Sequence, residues 1–134
     1  MNRVVLDASA VLAMLLNEPG GERVISLLDG QGVGANIRLA ISAVNWCEIL
    51  TRMDREGVRI PGERLTAVLS GVELVPFDRV QAETAAAFAR VSKALSLGDR
   101  ACLGLASASQ ASAWTCERLW AQLPLDVPVE LIRA

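Results

Sequence analysis

The chain contains no histidine and no tyrosine among its 134 residues. Without histidine there is no imidazole base, no Ser-His-Asp triad and none of the usual zinc-hydrolase ligand sets. Any metal would have to be held by oxygen, which favours Mg²⁺, with Mn²⁺ able to substitute. Aromatic residues make up only 4% of the chain, too few to predict a platform for stacking nucleic-acid bases. Lysine is nearly absent as well: Lys93 stands alone, and every other basic residue is arginine. The net charge of -2 advertises no general nucleic-acid-binding surface. The three cysteines, Cys47, Cys102 and Cys116, form no CxxC pair and lie in apolar settings. They are expected to be buried reduced thiols of a cytoplasmic protein. Arg3 and the apolar residues after it faintly mimic a signal peptide, but Asp7 interrupts them. The long apolar run at 11–16 is far too short to cross a membrane, so a soluble, unprocessed chain is expected.

What is present is a hydrophobic content of 52%, above the usual globular figure. The length suits one domain with a real core, taken as 1–134, and the apolar surplus points to a dimer or a partner surface. Strands are expected at 3–7, 37–41, 72–77, 113–116 and 127–132, from short β-branched or continuous apolar runs. Helices are expected at 9–16, capped by Ser9, and at 22–28, followed by a Gly-rich turn at 30–34 that lacks phosphate-loop spacing. A longer helix at 43–56 has Ser42 as its cap and Val44, Cys47, Leu50 and Met53 along its inner stripe. Further helices are expected at 61–69, at 78–94 with an Asp78/Gln81 capping pair, and at 98–109, rich in small residues. Strands alternating with helices predict a three-layer α/β/α sandwich around a mainly parallel sheet.

Four acids stand apart from the surface and turn carboxylates. Asp7 ends the first strand, where open α/β folds bind ligands, although with Ser9 it could simply cap the next helix. Glu48 sits among Trp46, Cys47, Ile49 and Leu50, yet an ordinary i,i+4 ion pair with Arg52 would also account for it. Asp99 lies in a first helical turn, three residues after Ser96, where any acid is favoured by the helix dipole. Glu117 follows a short strand and reads equally well as a solvated loop residue. Brought together, two carboxylates about 5 Å apart repel by roughly 3 kcal/mol at an effective dielectric near 20. A divalent cation relieves that repulsion, and it can also polarise a phosphodiester and supply hydroxide at neutral pH.

Five strings in order, Val4-Val5-Leu6-Asp7-Ala8-Ser9, Ser42–Glu48, Leu95–Leu103, Trp114–Ala121 and Val129–Arg133, span nearly the whole chain. Together they resemble a PIN-domain ribonuclease of the VapC toxin type. The resemblance implies a PIN-like fold and a Mg²⁺- or Mn²⁺-dependent endoribonuclease that cuts RNA phosphodiester bonds. Carried over by position, Asp7, Glu48 and Asp99 are its core acidic triad, and Ser9 and Thr115 orient ligands. Glu117 departs from the family's Thr-x-Asp string, which weakens a second-metal site there. The resemblance also implies a homodimer and a cognate antitoxin partner, with no membrane role. Arg100 is a candidate contact to substrate phosphate. Two other readings compete. One is a catalytically degenerate PIN-like interaction module. The other is an aspartyl-nucleophile phosphatase, disfavoured by Ser9 in place of a second acid and by the lack of a lysine near a strand end.

Overall fold

A computed structural model describes residues 2–30 and 36–134, with the side chain of Val68 excepted. Five strands form one sheet: β1 (Asn2–Leu6), β2 (Ile37–Ser42), β3 (Val72–Val75), β4 (Ser112–Thr115) and β5 (Val129–Leu131). Every pairing is parallel and the spatial order is β3-β2-β1-β4-β5. Helices α1 (Ala8–Leu15), α2 (Gly21–Leu28), α3 (Ala43–Arg55), α4 (Gly62–Val68), α5 (Arg79–Ala87) and α6 (Leu97–Ser109) connect them. The expected three-layer α/β/α architecture is therefore present.

Alternation along β1 explains the two covered faces. Val4 and Leu6 point into a core shared with Val11, Leu12, Leu39, Ile41, Ile49 and Met53. Val5, on the opposite face, packs with Phe88, Cys102, Leu103, Leu105, Ala113 and Trp120. A parallel sheet buried on both sides requires such continuous apolar strands, and each fully buried side chain of this size contributes about 1.5–3 kcal/mol. The small residues of α6 serve close packing as expected: a Cβ on Gly104 would stand 3.1 Å from the Ala85 backbone nitrogen of α5.

Four local expectations need correction. Ser9 does not cap α1; Asp7 occupies the cap position and makes no capping bond, while Ser9 turns its hydroxyl elsewhere. The inner face of α3 is Asn45, Ile49 and Met53, whereas Cys47 and Leu50 are exposed. That phase follows from the neighbours above and below: Ile49 and Met53 complete the core on β1 and β2. The helix expected to reach 94 stops near 90, tightening into a 3₁₀ turn at Phe88–Arg90. Phe88, Val91 and Leu95 pack in the core cluster that α6 also lines. Of the cysteines only Cys102 is buried, since Cys116 is intermediate. The turn expected at 30–34 lies, beyond Gly30, outside the described residues.

The order of strands sets the site. The chain moves outward from β1 through β2 to β3, then returns to the other side of β1 with β4. Strand order reverses between β1 and β4, and the crevice beyond their carboxyl ends is where such sheets bind ligands.

Candidate functional site

Beyond the carboxyl ends of β1 and β4 lies a cleft of about 900 Å³. Asp7, Glu48, Asp99 and Glu117 all line it, and Glu18 does too, so five acids from separate stretches of the chain meet there.

Asp7 is the anchor, only 4% exposed immediately after β1. Its Oδ2 accepts from the Ser9 hydroxyl at 2.7 Å and the Thr115 hydroxyl at 2.9 Å. Both hydroxyls are themselves held by backbone donors, Cys116 N–H on Ser9 at 2.9 Å and Glu117 N–H on Thr115 at 3.0 Å. Such chained donors strengthen one another in a dry site. They fix Asp7 in place and leave Oδ1 without a close donor, 3.5 Å from Asn45 Nδ2. Burial pushes the Asp7 carboxyl up to about 7; the two hydroxyls oppose this, and the nearby Asp99 and Glu48 charges add to it. Desolvation rather than mutual repulsion is thus the larger strain on Asp7.

Glu48 is raised in the same direction, again chiefly by burial, with a contrary pull from Asn45 and further push from Asp99 and Glu117. Its Oε1 accepts from Asn45 Nδ2 at 2.9 Å. The simple ion pair with Arg52 is not what the structure shows, because Arg52 bonds Glu56 at 2.8 Å instead. The Glu48 carboxylate lies over Gly98, where any Cβ would collide with it. Asp99 does perform the bland role anticipated for it. Its Oδ2 accepts from Ser96 N–H at 2.9 Å while Ser96 Oγ accepts from Asp99 N–H at 3.1 Å, a reciprocal capping box. Cap and cleft wall are the same residue.

The four candidate acids offer only oxygen donors, and desolvation raises both the buried Asp7 and the more exposed Glu48 above their ordinary range, a cost that positive charge would relieve. Those features fit a hard divalent cation. Among the described residues no three acids already close into a ligating shell. Glu117 is exposed where it lines the cleft.

Arg100 does not line the cleft, contrary to expectation; Arg52, Arg55 and Arg133 do. On α3, Glu48, Arg52 and Arg55 follow at i, i+4 and i+7, one continuous face of the helix. That spacing was readable in the sequence and was missed. Asn45 and Gly98 were missed too. Asn45 stands three residues before Glu48 and Gly98 directly precedes Asp99, and proximity to a candidate acid was the available signal. Lys93 does not line the cleft, so the phosphatase reading gains no cation from it.

A PIN domain family model matches residues 4–124, and the chain belongs to that family. No curated protein sequence matches it. Among solved structures it is similar to a toxin-antitoxin complex from Klebsiella pneumoniae, at 18% identity and TM-score 0.71, covering 96% of this chain and 97% of that one. VapBC-1 from nontypeable Haemophilus influenzae matches at 16% identity and TM-score 0.69, covering 97% and 98%. FitAcB from Neisseria gonorrhoeae matches at 19% identity and TM-score 0.67, covering 96% and 97%. Among the described residues no helix is long and apolar enough to cross a membrane.

Proposed function

We propose that the protein is a Mg²⁺- or Mn²⁺-dependent endoribonuclease and the toxin of a toxin–antitoxin pair. The observation that carries the chemistry is the meeting of Asp7, Glu48, Asp99 and Glu117 in one cleft, at the point where strand order reverses. Support for the biological role comes from the fold's likeness to chains in toxin-antitoxin complexes.

Asp7 and Glu48 would hold the ion, with Asp99 through the oxygen its capping bond leaves free. When bound, a divalent ion stabilises charge on a phosphodiester in the transition state and makes water acidic enough to attack near neutral pH. Ser9 and Thr115 keep the Asp7 carboxylate in one orientation. Arg55, with no ion pair among the described residues, and Arg52, whose exposed pair with Glu56 contributes at most about 1 kcal/mol, provide guanidinium groups for backbone phosphates. They lie one and two turns beyond Glu48, about 6 and 10 Å along the helix axis. A single strand of RNA running along α3 would place phosphates flanking the reacting one against them.

The test is cleavage of single-stranded RNA by the purified protein. Cutting should require Mg²⁺ or Mn²⁺ and stop in excess chelator; cutting that persists in chelator contradicts the reading. Arg55→Ala should raise KM with little change in kcat. It should also flatten the salt dependence of RNA binding by a log–log slope of about 0.7, the share of one phosphate contact on a single strand. Glu117 is exposed and its carboxylate is held by no hydrogen bond among the described residues. Glu117→Ala should therefore lower kcat by less than about tenfold, far less than loss of an inner ligand.

The antitoxin and a second copy of the chain belong to the same proposal. Ile25, Leu50, Val58, Leu74, Val80 and Leu97 remain exposed, which leaves apolar surface for such contacts. Light scattering on the free protein tests the dimer.

A further inference from the structure

Asn45 is fully buried in the first turn of α3, one of only four buried polar or charged side chains among the described residues. Its Nδ2 faces three acceptors: Glu48 Oε1 at 2.9 Å, the Gly98 carbonyl at 3.0 Å and Asp7 Oδ1 at 3.5 Å. An amide nitrogen carries two hydrogens, so three acceptors cannot all be served. The distances show how the shortage resolves. Glu48 and Gly98 receive normal bonds, and Asp7 Oδ1 is left beyond the usual range.

The other end of the same amide is equally informative. Asn45 Oδ1 is buried and has no hydrogen-bond partner among the described residues. Leaving a buried acceptor unsatisfied is unfavourable. Turning the amide over would not help, because it would aim an oxygen at two carboxylates and a carbonyl. An apolar side chain of similar volume would fill the space without the orphaned atom. Packing alone therefore does not account for an asparagine here.

We infer that Asn45 is the positioning residue of the site, setting Glu48 and the start of α6 around Asp7 so that one Asp7 oxygen stays open to a divalent ion. The inference rests on the metal-dependent reading above. One hydrogen fixes the Glu48 carboxylate. The other clamps Gly98, whose neighbour is Asp99, and the Glu48 carboxylate lies in the space a Cβ on Gly98 would take. Asn45 thus ties the start of α3, which bears Glu48, to the start of α6, which bears Asp99, beside Asp7 and without being a ligand itself. Partners of this kind typically change metal affinity 10–100-fold when removed.

Calorimetric titration of the full chain with Mn²⁺ tests it, using Asn45→Leu and the smaller Asn45→Ser, each checked for native circular dichroism. Both should bind Mn²⁺ 10–100-fold more weakly than the unmodified chain. In a Glu48→Gln background the further loss caused by either substitution should shrink, because the part carried through Glu48 is already gone and only the Gly98 clamp remains to be lost. A folded variant with unchanged Mn²⁺ affinity would overturn the inference, as would a loss that persists undiminished in the Glu48→Gln background. Failure of the unmodified chain to bind Mn²⁺ would instead overturn the metal-dependent reading, and this inference with it.

Discussion

Asp7→Asn is expected to abolish RNA cleavage and, at the same time, to make the metal-free protein more stable. Asparagine keeps the shape of the side chain, and its oxygen can still accept from Ser9 and Thr115. What disappears is the negative charge. In the proposed reaction, several kcal/mol of transition-state stabilisation by a bound ion would depend on that charge, so kcat should fall by about a thousandfold or more. Stability should move the other way. The Asp7 carboxyl is raised from 3.8 to about 7, so at pH 7.5 it is ionised in an environment that opposes ionisation. Removing that charge should increase unfolding free energy by roughly 2–4 kcal/mol, read by urea denaturation in chelator. Loss of both activity and stability would mean that Asp7 is a structural residue.

The second large effect is on pH. A group whose pKa is higher in the folded protein than in the unfolded chain binds more protons when folded at intermediate pH. Its contribution is full below the unfolded value of 3.8 and is lost as pH rises through about 7. Glu48 is shifted in the same direction and reinforces it. In chelator the Tm should therefore drop between pH 5.5 and pH 7.5, by something on the order of 5–10 °C for about 2 kcal/mol in a chain of this size. Saturating Mn²⁺ should remove most of that drop, since an ion bound only to the folded protein stabilises it by mass action. In Asp7→Asn both the pH dependence and the Mn²⁺ effect should be small. A metal-free Tm that rises over this interval would contradict the assignment of the buried charge.

The parts of the molecule that were legible in the sequence share a physical cause. The buried half of β1, Val4, Val5 and Leu6, is a continuous apolar run because both faces of the sheet are covered, and α3 and α6 are announced by Ser42 and Ser96, which cap them. Asp7 was recognisable from its place after that run. The inward face of α3 was not legible, because hydrophobicity favours Val44, Cys47 and Leu50, while the cluster of acids demands a buried Asn45. A polar residue on a helix reads as surface until its carboxylate partners are known. The cleft's arginines were misplaced for a related reason. Arg100 is adjacent to Asp99 in sequence, but successive helical residues point about 100° apart, and Arg55, seven positions beyond Glu48, shares its face instead. The double role of Asp99, cap and cleft wall, shows that a satisfactory local explanation of an acid does not exhaust what it does.

Folding brings residues 7, 48 and 99 from distant parts of the chain to one cleft, and that they share a divalent ion there is the claim on which the proposed function depends. Calorimetric titration of the chelator-stripped protein with Mn²⁺ at pH 7.5, beside Asp7→Asn, addresses it most directly. Saturable binding by the first and none by the second is the expected result. No heat of binding in either protein, or equal binding in both, would contradict it.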